Sequence, residues 1–197
     1  KKAFEYYKLS ADQGYDHAQN NLAIYYELGD GTEKDLKKAI EYYKLSADQG
    51  YNAAQNNLGL AYEYGKGVEK DLKKAIEYYK LSADQGYDAA QNNLGIAYEY
   101  GQGVEKDLKK AFEYYKLSAD QGNDAAQNNL GISYQFGDGT EKNLKKAFEY
   151  YKLSADQGYD AAQNNLGLAY ESGRGVEKDL KKAFEYYKLS ADQGYDL

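Results

Sequence analysis

Few side chains in this sequence have the type and spacing that catalysis or metal binding needs. None of them has a second residue in the sequence with which it could form a catalytic or metal-binding site. His17 is the single histidine, so it lacks the second imidazole or thiolate of a metal site or a nucleophilic triad. Residues 30–35 offer oxygen ligands but lack the spacing of a calcium loop, and Lys66 replaces Asp30 in the corresponding stretch 66–71. We interpret these residues as a turn followed by a helix cap and predict no metal site.

The pattern Gly-x-Gly, which occurs five times, could in principle cradle a phosphate group. No strand-like segment precedes it and acidic side chains surround it, which argues against a nucleotide-binding loop. The lysine pair 73–74 lies among Glu69, Asp71 and Glu77, as on a solvated face of mixed charge and unlike a basic patch. We therefore predict that the chain is not an enzyme and has no catalytic residue and no cofactor.

Charge and composition restrict the classes of partner. The 32 acidic residues outnumber the 25 basic ones and give a net charge of −7, which disfavours nucleic acids and anionic membranes as partners. The absence of cysteine excludes disulfides and thiolate metal sites and leaves the cellular compartment open. No apolar run approaches the roughly 20 residues of a membrane span, so a protein or peptide partner is favoured.

The elements that carry these residues follow from a repeat of 36 residues. One segment, Lys-Lys-Ala-(Phe or Ile)-Glu-Tyr-Tyr-Lys-Leu-Ser-Ala-Asp-Gln-Gly, stands at 1–14, 37–50, 73–86, 109–122, 145–158 and 181–194. A second segment, such as 87–100, lies between successive copies and occurs five times. Glycines separate the segments, each is long enough for a helix of about a dozen residues, and strand-like alternation is absent. We predict an all-α chain whose residues 1–197 form a single array of helix pairs.

The segment that starts at 73 has clear helix signals. Asp71 is placed to cap the helix and Gly86 to end it. The apolar positions follow the i, i+3, i+4, i+7 rule and are Leu72, Ala75, Ile76, Tyr79 and Ala83. Leu81 falls nearly opposite Leu72, with Tyr78 beside it, so we expect a second apolar side. A helix that contacts both its own partner and the next pair needs two such sides, which favours a solenoid.

In the other segment, Asp88 and Gln91 resemble a capping box, and the predicted buried stripe comprises Ala90, Leu94, Ala97 and Tyr98. Gly95 interrupts this helix at a cost of about 1 kcal/mol against alanine. Since glycine recurs at this position in all units but the first, where Ala23 stands, we expect a close approach of two backbones there. We also expect the Gly-x-Gly turn to supply positive-φ positions.

These positions together resemble the Sel-one-like repeat family, a relative of the tetratricopeptide repeat. The matching residues of one unit are Ala54, Leu58, Gly59, Tyr62, Gly65, Gly67, Val68, Asp71, Lys74, Ala75, Tyr78, Tyr79, Ser82, Ala83 and Gly86. The resemblance implies a right-handed α-solenoid of antiparallel helix pairs in which the first helix of each unit lines a concave surface. It also implies adaptor or scaffold roles and no enzymatic activity. The absence of cysteine excludes the subfamily with a cysteine pair in each repeat.

The partner-binding residues predicted by helical position lie on the side of the first helix away from its buried stripe, which we expect to face solvent. By the resemblance, this side lines the groove. The predicted residues are Asn56, Leu60, Glu63, Tyr64, Asn92, Ile96, Glu99, Tyr100, Asn128, Ile132, Gln135 and Phe136. The position of Tyr64 varies between units while the core hardly changes, as expected at a surface.

An aliphatic row with aromatic anchors and carboxylates would suit an extended or helical peptide that carries apolar and basic side chains. The alternative is that these residues form only an exposed or inter-helix packing face. Of the more than twenty tyrosines, those like Tyr79 are predicted to lie in the core, and Tyr64 and Tyr100 are left for recognition.

A second hypothesis concerns the ends of the array. The copies at 1–14 and 181–194 carry the same apolar residues as the internal copies, whereas finished solenoids have polar caps. A head-to-tail contact of such ends would build a filament, so structural self-assembly is the alternative function. The chain lacks an initiating methionine. An excerpt of a longer protein would lack it, and so would an engineered array.

Overall fold

A computed structural model describes residues 2–194, and within them helices joined by turns are the only regular secondary structure, with no strand. The helices are α1 (Lys2–Ala11), α2 (Asp16–Leu28), α3 (Leu36–Asp48), α4 (Asn52–Tyr64), α5 (Leu72–Ala83), α6 (Asp88–Tyr100), α7 (Leu108–Ala119), α8 (Asp124–Phe136), α9 (Leu144–Asp156), α10 (Asp160–Ser172) and α11 (Leu180–Asp192). None of the helices in this range has the length and apolar character of a membrane span. The prediction of an all-α chain of repeated helix pairs is confirmed.

The chain divides into two compact units. The first comprises residues 1–97 and 101–105, and the second comprises 98–100 and 106–197. Lys1, which begins the copy at 1–14, and residues 195–197 lie outside the described range. The single continuous array over 1–197 stays a prediction.

The second helix of each repeat starts with the predicted cap, and the turn before it has the predicted backbone conformation. Oδ1 of Asp71 accepts hydrogen bonds from the backbone N–H groups of Lys73 and Lys74, both at 3.1 Å, at the start of α5. This caps amides that would otherwise lack a partner. In the turn before it, Gly65 and Gly67 have φ values of +69° and +72°. The predicted cap and the positive-φ turn are therefore confirmed.

The first helix of each repeat starts differently from the prediction. The N-cap of α6 is Tyr87, which makes no side-chain cap, and Asp88 is already helical. The side chain of Gln91 is directed to another helix, since its Nε2 donates to the carbonyl of Ala83 at the end of α5 (3.4 Å). The capping box of Asp88 and Gln91 is thus wrong, because this amide joins two helices instead of closing its own.

The two helices of a repeat run antiparallel, which side-chain hydrogen bonds at both ends show. Near the end of α5, Ser82 Oγ donates to the carbonyl of Asn52 at the start of α4 (2.8 Å). The hydroxyl of Tyr79 donates to Glu63 near the end of α4. Between these bonds Leu58 is fully buried and Tyr79 nearly so. Gly59 lies against the ring of Tyr79, so the expected close approach exists, but it is between a backbone and a ring.

The predicted second apolar side of the second helix is not buried. Leu81 is 51% exposed, and Leu45 and Leu117 are similar. Tyr78 is half-buried and stacks on Tyr62 of its own helix pair, with ring centroids 5.7 Å apart. The prediction was wrong because it assigned the contact with the next pair to a second side of the helix.

One broad apolar stripe contacts both neighbours instead. Helix α3 packs against α2 and also against α4 of the next pair, and Ala39, Ile40 and Tyr43 of its stripe are buried. Gly67, in the turn after α4, approaches Leu36 and Ile40 of the same helix. Successive first helices also join directly, as Asn57 Nδ2 donates to Asn20 Oδ1 at 3.0 Å. The repeats therefore stack as in a solenoid.

Candidate functional site

The predicted recognition residues fall into three groups by exposure. The aromatic residues Tyr64, Tyr100 and Phe136 are 62%, 65% and 64% exposed at the ends of α4, α6 and α8. The next group is partly buried and comprises Leu60, Glu63, Ile96, Glu99, Ile132 and Gln135. We call these nine residues the groove face. Their exposure leaves them available for contact with a partner.

The three asparagines of the predicted set do not face solvent. Asn56, Asn92 and Asn128 are 5%, 8% and 4% exposed. Oδ1 of Asn56 accepts from Asn93 Nδ2 of the next first helix at 3.0 Å, and Oδ1 of Asn128 accepts from Asn165 Nδ2 at 2.9 Å. Assigning them to the solvent-facing side was wrong, since successive first helices lie close enough to bury this position between them.

A carboxylate or an amide of each repeat accepts a hydrogen bond from a tyrosine of the following helix, and this tyrosine is buried in every pair except the last. The hydroxyl of Tyr43 donates to Glu27 at 2.8 Å, and that of Tyr151 donates to Gln135 at 3.1 Å. The other pairs are Tyr79 with Glu63, Tyr115 with Glu99 and Tyr187 with Glu171. Burial, followed by the hydrogen bond to Glu99, raises the pKa of Tyr115 far above its usual value. The tyrosine therefore stays protonated and fixes its acceptor at the groove face.

In the first unit this arrangement forms a pocket of about 80 Å³ between α2, α3 and α4. Its wall includes Ile40, Leu60 and the ring of Tyr64, with Glu27 at one side. Lys66, from the Gly-x-Gly turn, also lines it. Its Nζ lies 3.4 Å from Oε1 of Glu27 and 5.9 Å from the centre of the Tyr64 ring. An ammonium group is thus bound between a carboxylate and an aromatic ring.

Sequence reasoning missed the middle residue of the Gly-x-Gly turn as a part of this site. The turn was considered only as a calcium loop, as a phosphate cradle and as a source of positive φ. A signal was present, because the middle residue varies between repeats, as the position of Tyr64 does. The residues at this position are Asp30, Lys66, Gln102, Asp138 and Arg174.

The residues considered for catalysis or metal binding have structural contacts. The exposed ring of His17 packs against Tyr51, with centroids 4.2 Å apart. Oδ1 of Asp35 accepts from the backbone N–H of Lys38 at 3.0 Å and caps α3. That hydrogen bond is the main reason why the pKa of Asp35 lies below its usual value. Residues 2–194 contain no group of three side chains that could hold a metal ion.

Comparison with known families finds one match, which covers nearly the whole chain. A model of the Sel1 repeat matches residues 1–15, 16–51, 52–87, 88–123, 124–159 and 160–195. These boundaries assign each first helix and the second helix that follows it to one repeat. No curated protein matches the sequence at a significant level.

Solved structures give similar folds. The chain is 36% identical to a Sel1 repeat protein from Oxalobacter formigenes, with a TM-score of 0.88 over 92% of this chain and 74% of that one. It is also 36% identical to c5321, a protective antigen present in uropathogenic Escherichia coli strains, with a TM-score of 0.87 over 97% of this chain. It spans only 41% of the length of c5321. The immunity protein Pa5087 from Pseudomonas aeruginosa is 26% identical, with a TM-score of 0.66 over 96% of this chain and 72% of that one.

Proposed function

Because the chain belongs to the Sel1 repeat family, we propose that it is a scaffold whose groove face binds a peptide or protein partner. The predicted family membership is thereby confirmed. The Sel1 repeat fold is generally a non-catalytic scaffold, and Sel1 repeat proteins typically bind proteins. The groove face is the place of binding that we propose for this chain.

The observation that carries the proposal is the exposure of three aromatic rings at equivalent repeat positions. Tyr64, Tyr100 and Phe136 are each more than 60% exposed, although the repeats bury other tyrosines almost completely. They occupy equivalent positions 36 residues apart, and the residue type varies there while the core hardly changes. Aromatic side chains beside apolar pockets are the usual anchors of protein interfaces.

The chemistry of the groove face favours a partner with apolar and basic side chains. Leu60, Ile96 and Ile132 supply aliphatic side chains, and Glu63 and Glu99 supply carboxylates. The net charge of −7 adds a long-range attraction for a basic segment. Either an extended or a helical segment could carry such side chains.

The proposal is tested with a triple variant, Tyr64→Ala, Tyr100→Ala and Phe136→Ala. The three rings contribute little to the core, so we expect circular dichroism to show unchanged helical content. After the partner is identified by pull-down, we expect calorimetry to give at least roughly a hundredfold weaker binding, since two or more anchors are lost. Unchanged affinity would refute the groove face as the binding site.

A matched control removes exposed apolar side chains from the second helices, outside the groove face. The variant Leu45→Ala, Leu81→Ala and Leu117→Ala truncates three side chains that are about half exposed. We expect its affinity for the partner to stay within a factor of about two, because these residues lie outside the groove face. A comparable loss in both triple variants would mean that general surface hydrophobicity drives the binding.

A second candidate function is head-to-tail self-association. Phe184 on α11 is 70% exposed, whereas Ile40 and Ile76 at the same repeat position are 5% exposed. Where no further repeat follows α11, an apolar ring at this position would suit a contact with another copy. Fibres that grow with concentration in negative-stain images, and that Phe184→Glu abolishes, would support it. A monodisperse full-length monomer in light scattering would overturn it.

A further inference from the structure

We propose that Glu99, Phe136 and Asp138 form a subsite that binds the lysine or arginine side chain of the partner. The inference rests on the proposed function, and it specifies one position along the groove face where the partner must carry a positive charge. All three residues belong to the second compact unit.

The first unit shows which chemical group fits such a place. There Lys66 Nζ lies 3.4 Å from Oε1 of Glu27 and over the ring of Tyr64, at the edge of the apolar pocket. An ammonium group in this position gains an ion pair and a cation–π contact together. The chain therefore fills this first site with a cation of its own.

The corresponding place in the second unit is built from the same parts. Glu99 replaces Glu27, Phe136 replaces Tyr64, and Asp138 replaces Lys66, each 72 residues further on. Gly67 and Gly139, which follow the exchanged residues, have φ values of +72° and +71°. Each also approaches the backbone carbonyl of the leucine that begins the preceding second helix, Leu36 or Leu108. Asp138 therefore leaves the same turn, in the same setting, as Lys66.

Replacing the lysine by an aspartate reverses the charge of the site. By their correspondence with Glu27, Tyr64 and Lys66, two carboxylates now stand beside an exposed ring. Within residues 2–194 neither Glu99 nor Asp138 pairs with a cation. The hydroxyl of Tyr115 holds the Glu99 carboxylate in place, as Tyr43 holds Glu27. A cation from outside would complete the arrangement that Lys66 completes in the first unit.

The next repeat shows that the charge is specific to this position. There Gln135 replaces the glutamate and Arg174 takes the place of Asp138. Arg174 is near enough to Tyr151 to oppose the rise in pKa that burial causes. In the second unit, the proposed subsite is thus followed by an equivalent position that already contains a cation, Arg174. A basic side chain of the partner therefore has one preferred position.

The test uses nuclear magnetic resonance of the full chain and two short peptides that differ in one charge. The probes are acetyl-Leu-Lys-Leu-amide and its norleucine analogue, acetyl-Leu-Nle-Leu-amide. The signals followed are the methyl group of Ile132, beside the proposed subsite, and that of Ile40, in the pocket filled by Lys66. We expect the lysine peptide to bind at Ile132 roughly tenfold more tightly than the norleucine peptide.

Three variants test the assignment with little risk to the fold. Asp138→Lys should fill the subsite as Lys66 does and abolish the preference for lysine. Glu99→Gln should weaken this preference for lysine. The new glutamine still offers an acceptor for Tyr115, just as Gln135 does for Tyr151. Lys66→Asp should create a new lysine preference at Ile40. Thermal melts that match the wild type show that each variant is folded.

Each outcome decides the inference. The inference is supported if the wild type prefers the lysine peptide and Asp138→Lys removes this preference. Lys66→Asp should also produce the same preference at Ile40. Equal shifts with both peptides overturn it and leave the groove face as a site for apolar contacts. The absence of any shift overturns it as well. The groove face is judged separately, by the affinity of the aromatic triple variant for the identified partner, so the two proposals can fail independently.

Discussion

Gly131 lies so close to the side chain of Tyr151 that a methyl group at residue 131 would be 2.6 Å from both Cδ1 and Cε1 of the ring. Glycine here lets the tyrosine pass directly over the first helix of its own pair. The hydroxyl of Tyr151 can then reach Gln135 at 3.1 Å. A glycine inside a helix thus positions a residue of the groove face.

We expect Gly131→Val to destabilise the protein by about 1–3 kcal/mol, because the branched side chain must displace the buried ring. Gly131→Ala is the control. Ala23 occupies this position in the first repeat, where Tyr43 still bonds to Glu27 at 2.8 Å. The better helix propensity of alanine, about 1 kcal/mol, should offset much of the displacement. Urea unfolding measures both variants, and a valine variant as stable as the alanine variant would contradict the contact.

The sequence predicted those features that depend on local chemistry. The cap at Asp71 and the positive φ of Gly65 follow from side-chain and backbone preferences within a few residues. The recurrence of glycine at positions such as Gly59 indicated close contact, because a costly residue repeated at one place needs a packing reason. The identity of the contacting group, the ring of Tyr79, could not be predicted since it comes from another helix.

Features that depend on the angle between helices were not predictable in this way. A helical wheel places Leu81 on an apolar side and Asn56 on a polar one, but it does not show which side the next repeat covers. The neighbour covers Asn56 and leaves Leu81 open. For the candidate site, the wheel therefore identified the three exposed aromatic residues and missed Lys66, whose place is determined by the packing of a turn.

The different surroundings of two leucines can be measured. Leu94 is fully buried and Leu81 is 51% exposed. We expect Leu94→Ala to cost about 2–5 kcal/mol through lost contacts and a cavity. The same substitution at Leu81 should change the stability by no more than about 0.5–1 kcal/mol, because water already reaches the side chain. Equal losses of unfolding free energy in denaturant would show that Leu81 belongs to the core.

The hydrogen bonds that buried tyrosines donate to the groove face should differ in strength according to their acceptor. Tyr115 donates to the carboxylate of Glu99, whereas Tyr151 donates to the neutral amide of Gln135. We expect Tyr151→Phe to cost about 0.5–1.5 kcal/mol and Tyr115→Phe to cost more, up to about 3 kcal/mol, because bonds to charged groups are stronger. Thermal unfolding of both variants at neutral pH tests this, and a larger loss for Tyr151→Phe would contradict it.

Acid should weaken the caps that are carboxylates. The backbone N–H of Lys110 is the main cause that lowers the pKa of Asp107, and the Lys38 N–H acts in the same way on Asp35. A lowered pKa in the folded state stabilises the fold above the unfolded value of about 3.9. This contribution is lost as the pH falls through the lowered pKa. We expect Asp107→Asn to melt with a smaller dependence on pH between about 5 and 2, since Asn143 already caps α9 without a charge. Identical acid profiles of variant and wild type would contradict the role of Asp107.

Alkali should unfold the chain through its buried tyrosines. Burial raises the pKa of Tyr43, Tyr79 and Tyr115 far above the ordinary value, and burial with the bond to Glu171 raises that of Tyr187 to about 12. Groups with a raised folded pKa stabilise the fold fully below the unfolded value of about 10, and this stabilisation is lost as the pH rises through the folded value.

The last phenols should therefore ionise together with unfolding when the pH is raised above 10. Absorbance at 295 nm reports phenolate, and circular dichroism on the same sample reports the helices. We expect the final rise in absorbance to coincide with the loss of helical signal, and Tyr79→Phe to reduce the height of that step. Complete ionisation of the tyrosines in a chain that keeps its helical signal would show that these hydroxyls are not held in the core.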